Sequence, residues 1–288
     1  MPTKIDLANP SRVLIVAELT NNHLGNKDNL VEMVRLSKQA GADFIKVQKR
    51  DVDSFYTKDQ LNSPYESPFG KTLGDYRRGV ELNDELLNVL DRTCAENDIE
   101  WFCSVLDYPS YQAIKRFNPR LLKLPSTISN HRTYMQQLAK EYSGTLVIST
   151  GYTDKTYEDY ILETFPKNQI YLLHCVSSYP TPENDCNVAV IQHYAKNLSK
   201  HGIIPGYSSH DVGSIVSQLA IAAGAQMIEK HVKLENSSWI HFDNVALGLR
   251  NNEFANFVAE CRHAEIVLGS PIKKVLPCEH HKYGHNIR

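Results

Sequence analysis

The sequence predicts an α/β fold, a (β/α)8 TIM barrel, from three observations. Short apolar runs alternate with longer segments of helical periodicity, and eight such β-then-α units follow one another. The apolar runs are nearly continuous, which is typical of strands buried on both faces of a parallel sheet. A length of 288 residues suits one barrel of this kind. Eight consecutive units favour the barrel over a doubly wound sheet.

Each element is predicted from its local pattern, in chain order. The strands are predicted at residues 13–19, 44–48, 100–105, 121–126, 145–150, 170–176, 204–209 and 227–232. The amphipathic helices are predicted at residues 29–38, 84–92, 108–117, 132–141, 157–164, 188–199, 214–223 and 253–268. Asn83 or Asp84 is a suitable N-cap for the second helix, and Gly41 and Gly224 stand where helices are expected to end.

Two segments interrupt this alternation. Residues 49–83 form a long connection rich in Tyr, Pro, Gly and charge, and loops of this length are usually functional or disordered. After the second strand of a barrel, such a loop lies over the active face. The last segment is interrupted by proline and rich in Lys and His. We therefore predict a catalytic barrel over residues 1–269 and a short linker-like C-terminal tail over residues 270–288.

The composition excludes several classes of function. A formal net charge of −2 and a pI near 6.6 argue against nucleic-acid binding. No apolar stretch approaches the roughly 20 residues of a membrane span, and the N-terminus lacks a signal-peptide core. The six cysteines are scattered without CxxC spacing, so we expect reduced thiols and a cytoplasmic protein. Cys103 and Cys175 fall inside predicted strands and are expected to be small buried hydrophobes.

Two histidines stand at the ends of neighbouring predicted strands. His210 ends the run from Ile204, and His231 ends the run from Met227. In a parallel barrel both imidazoles lie at the same face, where they make half of a divalent-metal site. Glu18, at the end of the first strand, is a further oxygen donor, and such mixed ligation suits Mn²⁺, Zn²⁺, Fe²⁺ or Co²⁺. The alternative is that both are ordinary buried histidines.

Two lysines lie within apolar strands, where lysine is rarely buried without a partner. Lys46 is two residues from Gln48 and shares its face, and Lys123 lies in the fourth strand. If that face is the barrel lumen, these cations converge with hydroxyls at Ser126, Ser149 and Ser208. Ammonium groups with hydroxyls and backbone amides bind a phosphate-bearing anion. The alternative is that both lysines extend to the rim beside ordinary carboxylates.

Several motifs, in order along nearly the whole chain, resemble one family. They are AELTNNHLG at 17–25, GADFIKVQ at 41–48, KLPS at 123–126, STG at 149–151, LHCVSSYPTP at 173–182, GYSSH at 206–210 and IEKH at 228–231. Together they resemble the sialic acid synthases, the phosphoenolpyruvate-dependent nonulosonic acid synthases. The resemblance implies a (β/α)8 barrel that condenses phosphoenolpyruvate with an N-acylated aldose and releases phosphate.

The resemblance also implies roles for particular residues. His210 and His231 would hold a divalent metal, Mn²⁺ in the first place and Mg²⁺, Co²⁺ or Zn²⁺ as alternatives. The residues expected around phosphoenolpyruvate are Lys46, Lys123, Ser126, Ser149, Gly151, Ser177 and Ser208. The residues expected to act in catalysis are Glu18, Lys46, Gln48, Lys123 and Asp243, with Glu18, Gln48 and Asp243 facing the sugar or a metal-bound water. The expected assembly is a homodimer.

The chain departs from the family pattern at four places. Ile128 stands where an acidic residue is usual, Ser209 replaces the Asp of Ser-Asp-His, and Asp243 is followed by Asn244 rather than His. The family usually carries a small antifreeze-like C-terminal domain whose arginine helps to bind the sugar of the partner subunit. This sequence ends at Arg288, within what resembles the linker to that domain. We therefore expect either a divergent sugar acceptor or a separate protein that supplies the domain.

Three other functions remain open at this point. A related phosphoenolpyruvate barrel could make a shorter 3-deoxy-ulosonic acid, and a metal-dependent aldolase would use a similar site. A barrel without activity could serve as a binding subunit. The identity of the sugar that supports phosphate release would distinguish a nonulosonic acid synthase from a 3-deoxy-ulosonate synthase. A protein that binds phosphoenolpyruvate but releases no phosphate with any sugar would be an inactive binding subunit.

Overall fold

A computed structural model describes residues 4–240 and 243–279, and the side chain of Asp243 lies outside this description. Eight parallel strands form its centre: β1 (Leu14–Thr20), β2 (Phe44–Lys49), β3 (Glu100–Val105), β4 (Leu121–Leu124), β5 (Thr145–Ser149), β6 (Ile170–His174), β7 (Ile203–Ser209) and β8 (Met227–Lys233). Each strand pairs with the next, and β8 pairs with β1. The sheet is therefore closed, which confirms the predicted TIM barrel.

The helices surround this barrel and follow the strands in turn. They are α1 (Lys27–Gln39), α2 (Asp84–Glu96), α3 (Tyr108–Lys115), α4 (Arg132–Glu141), α5 (Lys155–Thr164), α6 (Ala189–His193), α7 (Ile215–Ala222) and α8 (Glu253–Leu268). The side chain of Asn83 accepts a hydrogen bond from the backbone N–H of Leu86, so Asn83 is the N-cap of α2. α6 continues into a π-helical turn at Tyr194–Leu198, within the single helix predicted there.

The fourth strand is shorter than predicted, for a reason visible in its sequence. Pro125 has no N–H to donate to a neighbouring strand, and Ser126–Ile128 form a 3₁₀ turn immediately after it. Ser126 therefore lies on a turn above the barrel rather than within the sheet. This position turns its hydroxyl toward the cavity described below.

The lower half of the barrel is filled by apolar side chains. The cluster in the lumen is made of Leu7, Leu14, Val16, Phe44, Phe102, Leu121, Val147, Tyr171, Leu173, Ile204 and Met227. The N-terminal segment covers its base, where Tyr171 donates a hydrogen bond to the carbonyl of Leu7 at 2.8 Å and Arg120 donates to that of Ile5 at 2.7 Å. The charged residues of the lumen lie above this cluster, toward the C-terminal ends of the strands.

The long connection after β2 is folded. It contains short helices at Val52–Phe55, Lys58–Leu61 and Leu73–Gly79 and a hairpin of Pro64–Ser67 with Gly70–Thr72. Tyr76 stacks on Tyr65 with ring centroids 4.5 Å apart, and Tyr65 donates a hydrogen bond to the carbonyl of Trp239 at 2.5 Å. These contacts join the connection to the loop after β8, at the same end of the barrel.

A buried carboxylate links the first two strands to the last helix. Asp43 is 2.5 Å from Arg12 and 2.7 Å from Arg262, and it accepts the backbone N–H of Ile15 at 2.8 Å. We expect Asp43→Asn to lower the free energy of unfolding by about 3 kcal/mol, since hydrogen bonds to charged groups are lost. Chemical denaturation measures this change. An unchanged midpoint would contradict it, and the activity per folded molecule should stay that of the wild type.

Three further observations concern the described residues. None of the helices within residues 4–240 and 243–279 is both long and apolar enough to cross a bilayer. All six cysteines are free, and five of them are buried. After α8 ends at Leu268, residues 270–279 continue without helix or strand.

Candidate active site

A cavity of about 930 Å³ opens at the C-terminal ends of the barrel strands. Ten of the residues predicted for the site line it: Glu18, Lys46, Gln48, Lys123, Ser126, Ser149, Ser177, Ser208, His210 and His231. Gly151 lies against the same wall, beside Ser126 and Ser177. Asp243 cannot be placed relative to the cavity because its side chain lies outside the described part of the chain. The structure thus brings together residues from seven of the eight strands or the turns that follow them.

The floor of the cavity is a compact group of buried charges. Lys46 forms an ion pair with Glu18, lies 3.4 Å from Glu229 and donates a hydrogen bond to Ser104 at 3.1 Å. Lys123 is 2.9 Å from the other oxygen of Glu229. Both lysines are buried, so the alternative that they extend to the rim is wrong. Their charges are nevertheless balanced by two carboxylates, Glu18 and Glu229, as that alternative expected.

The charges of this group depend on one another. The pKa of Lys46 is lowered to about 8, mainly by burial; the attraction of Glu229 opposes this shift and the nearby Lys123 adds to it. Burial alone would raise the pKa of Glu229, but Lys123 and Lys46 outweigh it and hold this pKa well below its usual range. At neutral pH Glu229 is therefore a carboxylate and Lys46 is mainly an ammonium ion.

The two histidines face each other, with ring centroids 5.7 Å apart. His210 donates from Nδ1 to the carbonyl of Val176 at 2.7 Å. The Nδ1 of His231 is 2.9 Å from the hydroxyl of Thr20, whose proton is already donated to Glu18 at 2.6 Å. His231 must therefore also donate from Nδ1. In both rings the lone pair is consequently on Nε2.

Burial keeps both imidazoles neutral. It lowers the pKa of His210 to about 4, and burial together with His210 and Lys46 lowers the pKa of His231 well below its usual value. Neutral imidazoles whose second nitrogen is fixed by a hydrogen bond are the form that binds divalent transition ions. No third His, Cys, Asp or Glu joins the pair within the described residues. A metal held here would take its remaining ligands from water or substrate oxygens.

Hydroxyl and amide groups form the wall beside the lysines. Ser126 accepts the backbone N–H of Gly151 at 2.9 Å, and Ser208 donates to Glu229 at 3.0 Å. Cys175 is buried, as predicted for a small hydrophobe, but its sulfur also lines the cavity 3.3 Å from the hydroxyl of Ser126. The wall is therefore suited to accept the oxygens of a phosphate or a carboxylate.

The absence of a side chain at Gly151 keeps this wall open. A Cβ there would lie 2.2 Å from the hydroxyl oxygen of Ser177 and 2.7 Å from that of Ser126. We expect Gly151→Ala to raise the KM for phosphoenolpyruvate by about 10-fold or more, as a displacement of binding groups costs at least 1.4 kcal/mol. Steady-state kinetics measure the KM, and thermal denaturation checks that the variant is folded. An unchanged KM would show that this wall does not contact the substrate.

The departures from the family pattern at Ile128 and Ser209 do not remove groups from the cavity. Ile128 is fully buried in the layer between strands and helices. Ser209 points to the same layer, where it donates to Asp211 at 2.7 Å and accepts from Lys230 at 2.8 Å. Because side chains alternate along a strand, Ser208 and His210 face the lumen and Ser209 does not. Asn244 is exposed.

Sequence reasoning did not single out five charged residues of the cavity: Glu229, Arg50, Arg77, Arg132 and Asp154. The role of Glu229 as the partner of both lysines depends on the fold, because these residues are far apart in the sequence. Arg50 continues the two-residue spacing of Lys46 and Gln48, a signal that could have identified it. Arg77 lies in a short helix of the long connection and Arg132 begins α4, positions that no periodic pattern marks.

The comparisons with known proteins agree with this geometry. The model of the NeuB family matches residues 33–273. The human N-acetylneuraminate-9-phosphate synthase is 32% identical over 290 residues, covering 97% of this chain and 79% of the relative. The pseudaminic acid synthase of Campylobacter jejuni is 32% identical over 268 residues, covering 90% of this chain and 75% of the relative.

Solved structures share the fold at lower identity. The N-acetylneuraminic acid synthetase of Leptospira borgpetersenii, solved with citrate, superposes with a TM-score of 0.84 at 24% identity, covering 99% of this chain and 94% of the other. A truncated 3-deoxy-D-arabino-heptulosonate 7-phosphate synthase of Thermotoga maritima reaches 0.64 at 15% identity, covering 94% and 95%. Both of these curated relatives are synthases, and the prediction that the chain is an enzyme is thereby confirmed. The chain belongs to the NeuB family, the sialic acid synthase family that its motifs resemble.

Proposed function

We propose that this enzyme condenses phosphoenolpyruvate with the open-chain form of an N-acylated aldose, N-acetylmannosamine or a related sugar. The products are a nonulosonic acid and phosphate. One observation carries the proposal: two lysines, two carboxylates and two neutral imidazoles surround one cavity whose wall is made of serine hydroxyls. Such a cavity can hold an enol phosphate beside an electrophilic aldehyde.

Phosphoenolpyruvate would bind to the lysines and the hydroxyl wall. Each ammonium has three N–H donors, and the ion pair with Glu229 uses one donor of Lys123. The remaining donors, the hydroxyls of Ser126, Ser149, Ser177 and Ser208 and the wall at Gly151 provide the contacts for phosphate and carboxylate oxygens. The positive charges of Lys46 and Lys123 then stabilise the charge that develops as the enol attacks.

We propose His210 and His231 as the protein ligands of a divalent metal, with Mn²⁺ as the first choice and Mg²⁺, Co²⁺ or Zn²⁺ as the other ions to test. A bound ion of this kind supplies Lewis-acid polarisation of the sugar aldehyde. The neutral rings and their fixed tautomers support this assignment. The residues behind them, Thr20 and Val176, orient the rings.

Carbon three of phosphoenolpyruvate forms the new bond to the aldehyde carbon, and the aldehyde oxygen gains a proton. Water then adds to carbon two and loses a proton, and phosphate leaves with its bridging oxygen to give the 2-oxo acid in its hemiketal or open form. Glu18 is our choice for the proton transfers. The Thr20 backbone N–H holds it at 2.8 Å and the ion pair with Lys46 fixes its other oxygen. Gln48, which donates to Asn21, and Asp243 are proposed to contact the sugar.

The assay is phosphate release from phosphoenolpyruvate by the metal-loaded protein, with a panel of aldoses that includes N-acetylmannosamine. Release that depends on an N-acylated hexosamine supports the proposal. Release with a shorter, non-acylated aldose phosphate would instead indicate a 3-deoxy-ulosonate synthase. Phosphoenolpyruvate that binds without release in the presence of any sugar would indicate an inactive binding subunit.

We further propose that the protein is a cytoplasmic homodimer. The six free thiols support a reducing compartment. Light scattering of the purified chain tests the dimer.

A further inference from the structure

A buried network of polar side chains lies directly behind the two histidines, on the side of the strands that faces the helices. Lys230 is fully buried, and its ammonium group donates hydrogen bonds to the hydroxyl of Ser209 at 2.8 Å and to the carbonyl of Asp211 at 2.5 Å. Lys230 precedes His231, and its two acceptors stand on either side of His210. One side chain therefore links the two chain segments that carry the histidines.

The carboxylate of Asp211 forms a second link, back onto β7. Its Oδ1 atom accepts hydrogen bonds from the hydroxyls of Tyr207 at 2.8 Å and Ser209 at 2.7 Å. Because Asp211 follows the strand, these bonds hold the chain on both sides of His210. The same carboxylate attracts the ammonium group of Lys230. The end of β7 is therefore tied both to itself and to β8.

The register of the two strands places this network outside the cavity. Ser209 of β7 pairs with Lys230 of β8 in the parallel sheet, and side chains alternate along each strand. His210 and His231 line the cavity, whereas Lys230 and Asp211 do not. The network can therefore influence the cavity only through the backbone that carries the histidines.

Stability does not account for this network. Lys230 and Asp211 are both fully buried, and the Oδ2 atom of Asp211 has no hydrogen-bond partner among the described residues. Removing such charges from water is costly, and apolar side chains of similar volume often give equal or greater stability. A buried carboxylate oxygen without a partner adds to that cost. What the network supplies is a fixed geometry at the ends of β7 and β8.

We propose that Lys230 and Asp211 are positioning residues that hold the ends of β7 and β8 at the separation at which His210 and His231 bind one divalent ion. This inference rests on the proposed function, which assigns the ion to these two rings. Ligand distances in metal sites are fixed to within about 0.2 Å, so a small shift of one strand end against the other weakens binding. The family pattern has a carboxylate at position 209, and in this chain Asp211 supplies one from the other side of His210.

The test is the affinity of the metal-free full chain for Mn²⁺, measured by electron paramagnetic resonance of the free ion. Lys230→Met is expected to raise the Kd for Mn²⁺ by about 10- to 100-fold, the usual effect of removing a group that orients metal ligands. Lys230→Arg keeps a cation with N–H donors for the same acceptors and should retain most of the affinity. In turnover, saturating Mn²⁺ should restore much of the rate of Lys230→Met. The KM for phosphoenolpyruvate should not change, because Lys46 and Lys123 stand on other strands.

A double variant separates positioning from stability. Lys230→Met alone leaves Asp211 as an uncompensated buried charge and should lower the denaturation midpoint. Lys230→Met/Asp211→Asn removes both charges, so the midpoint should return toward that of the wild type. The affinity for Mn²⁺ should stay low, because the link between the strands is still absent. Asp43→Asn is the matched control: it weakens a buried carboxylate network that precedes β2, at the opposite end of the barrel, and should lower stability without changing the affinity for Mn²⁺.

Several results would overturn the proposal. If folded Lys230→Met binds Mn²⁺ as tightly as the wild type, or if the affinity of the double variant returns together with its midpoint, the network has a structural role alone. An equal loss of affinity in Asp43→Asn would mark a general effect of instability. If the wild type binds no Mn²⁺, or binds it equally well after His210→Ala, the metal assignment of the proposed function fails and the positioning role fails with it. The wild type therefore distinguishes the two kinds of failure.

Discussion

Replacing His210 or His231 by alanine is expected to abolish sugar-dependent phosphate release, with a fall in kcat of about 1000-fold or more. A metal-polarised carbonyl gains several kcal/mol of transition-state stabilisation, and each 1.36 kcal/mol corresponds to about a factor of ten in rate. The two imidazole rings face each other. Within the described residues no third His, Cys, Asp or Glu stands close enough to complete a metal site with them. Removing either one leaves a single imidazole, which is too few protein ligands to retain an ion.

The measurement is phosphate release together with the metal content of the dialysed protein. His193→Ala is the matched control, because His193 is paired with Glu158 at 2.9 Å and does not line the cavity. It should keep both the metal and the rate. If the alanine variant at position 210 or 231 turns over at the wild-type rate, that histidine does not hold a metal that the reaction needs, and the proposed assignment is wrong.

The barrel was predictable because its strands carry a simple signal. β3 was predicted with the bounds that the structure shows, and β8 within one residue, since nearly continuous apolar runs such as that of Trp101 to Val105, interrupted by Ser104, fit a strand covered on both faces. The location of the site could be predicted once the barrel was predicted, because residues at the strand ends, such as Lys46 and His231, meet at one face of a parallel barrel. A residue whose place is fixed by the order of the strands can therefore be assigned from sequence.

The pairing of charges could not be predicted in the same way. Lys123 and Glu229 are 106 positions apart and meet because β4 and β8 face each other across the lumen. The positions of Arg77 and Arg132 in the cavity wall depend on how the long connection and the start of α4 are placed above the barrel. Local pattern carries information about strands and caps, but contacts across a closed sheet depend on its register and diameter.

The second large effect concerns Glu229, which stands between the two buried lysines. Glu229→Gln leaves Lys123 and Lys46 with one carboxylate, Glu18, between them. We expect the free energy of unfolding to fall by about 3–5 kcal/mol, because breaking a buried ion pair leaves an uncompensated charge. Turnover should fall by about 100-fold or more, since an unpaired ammonium group shifts position and Ser208 loses its charged acceptor. Urea denaturation and the phosphate-release assay measure the two losses.

The double variant Lys123→Met/Glu229→Gln separates stability from catalysis. It removes one charge of each sign and leaves the Lys46–Glu18 pair intact, so most of the lost stability should return. Activity should not return, because Lys123 is one of the two ammonium groups proposed to bind phosphoenolpyruvate. Glu32→Gln breaks a pair with the half-exposed Arg250 and should cost no more than about 1 kcal/mol. If the double variant is as unstable as the sum of its single changes, the two groups do not compensate each other, and the floor of the cavity is not the coupled ion cluster that its geometry indicates.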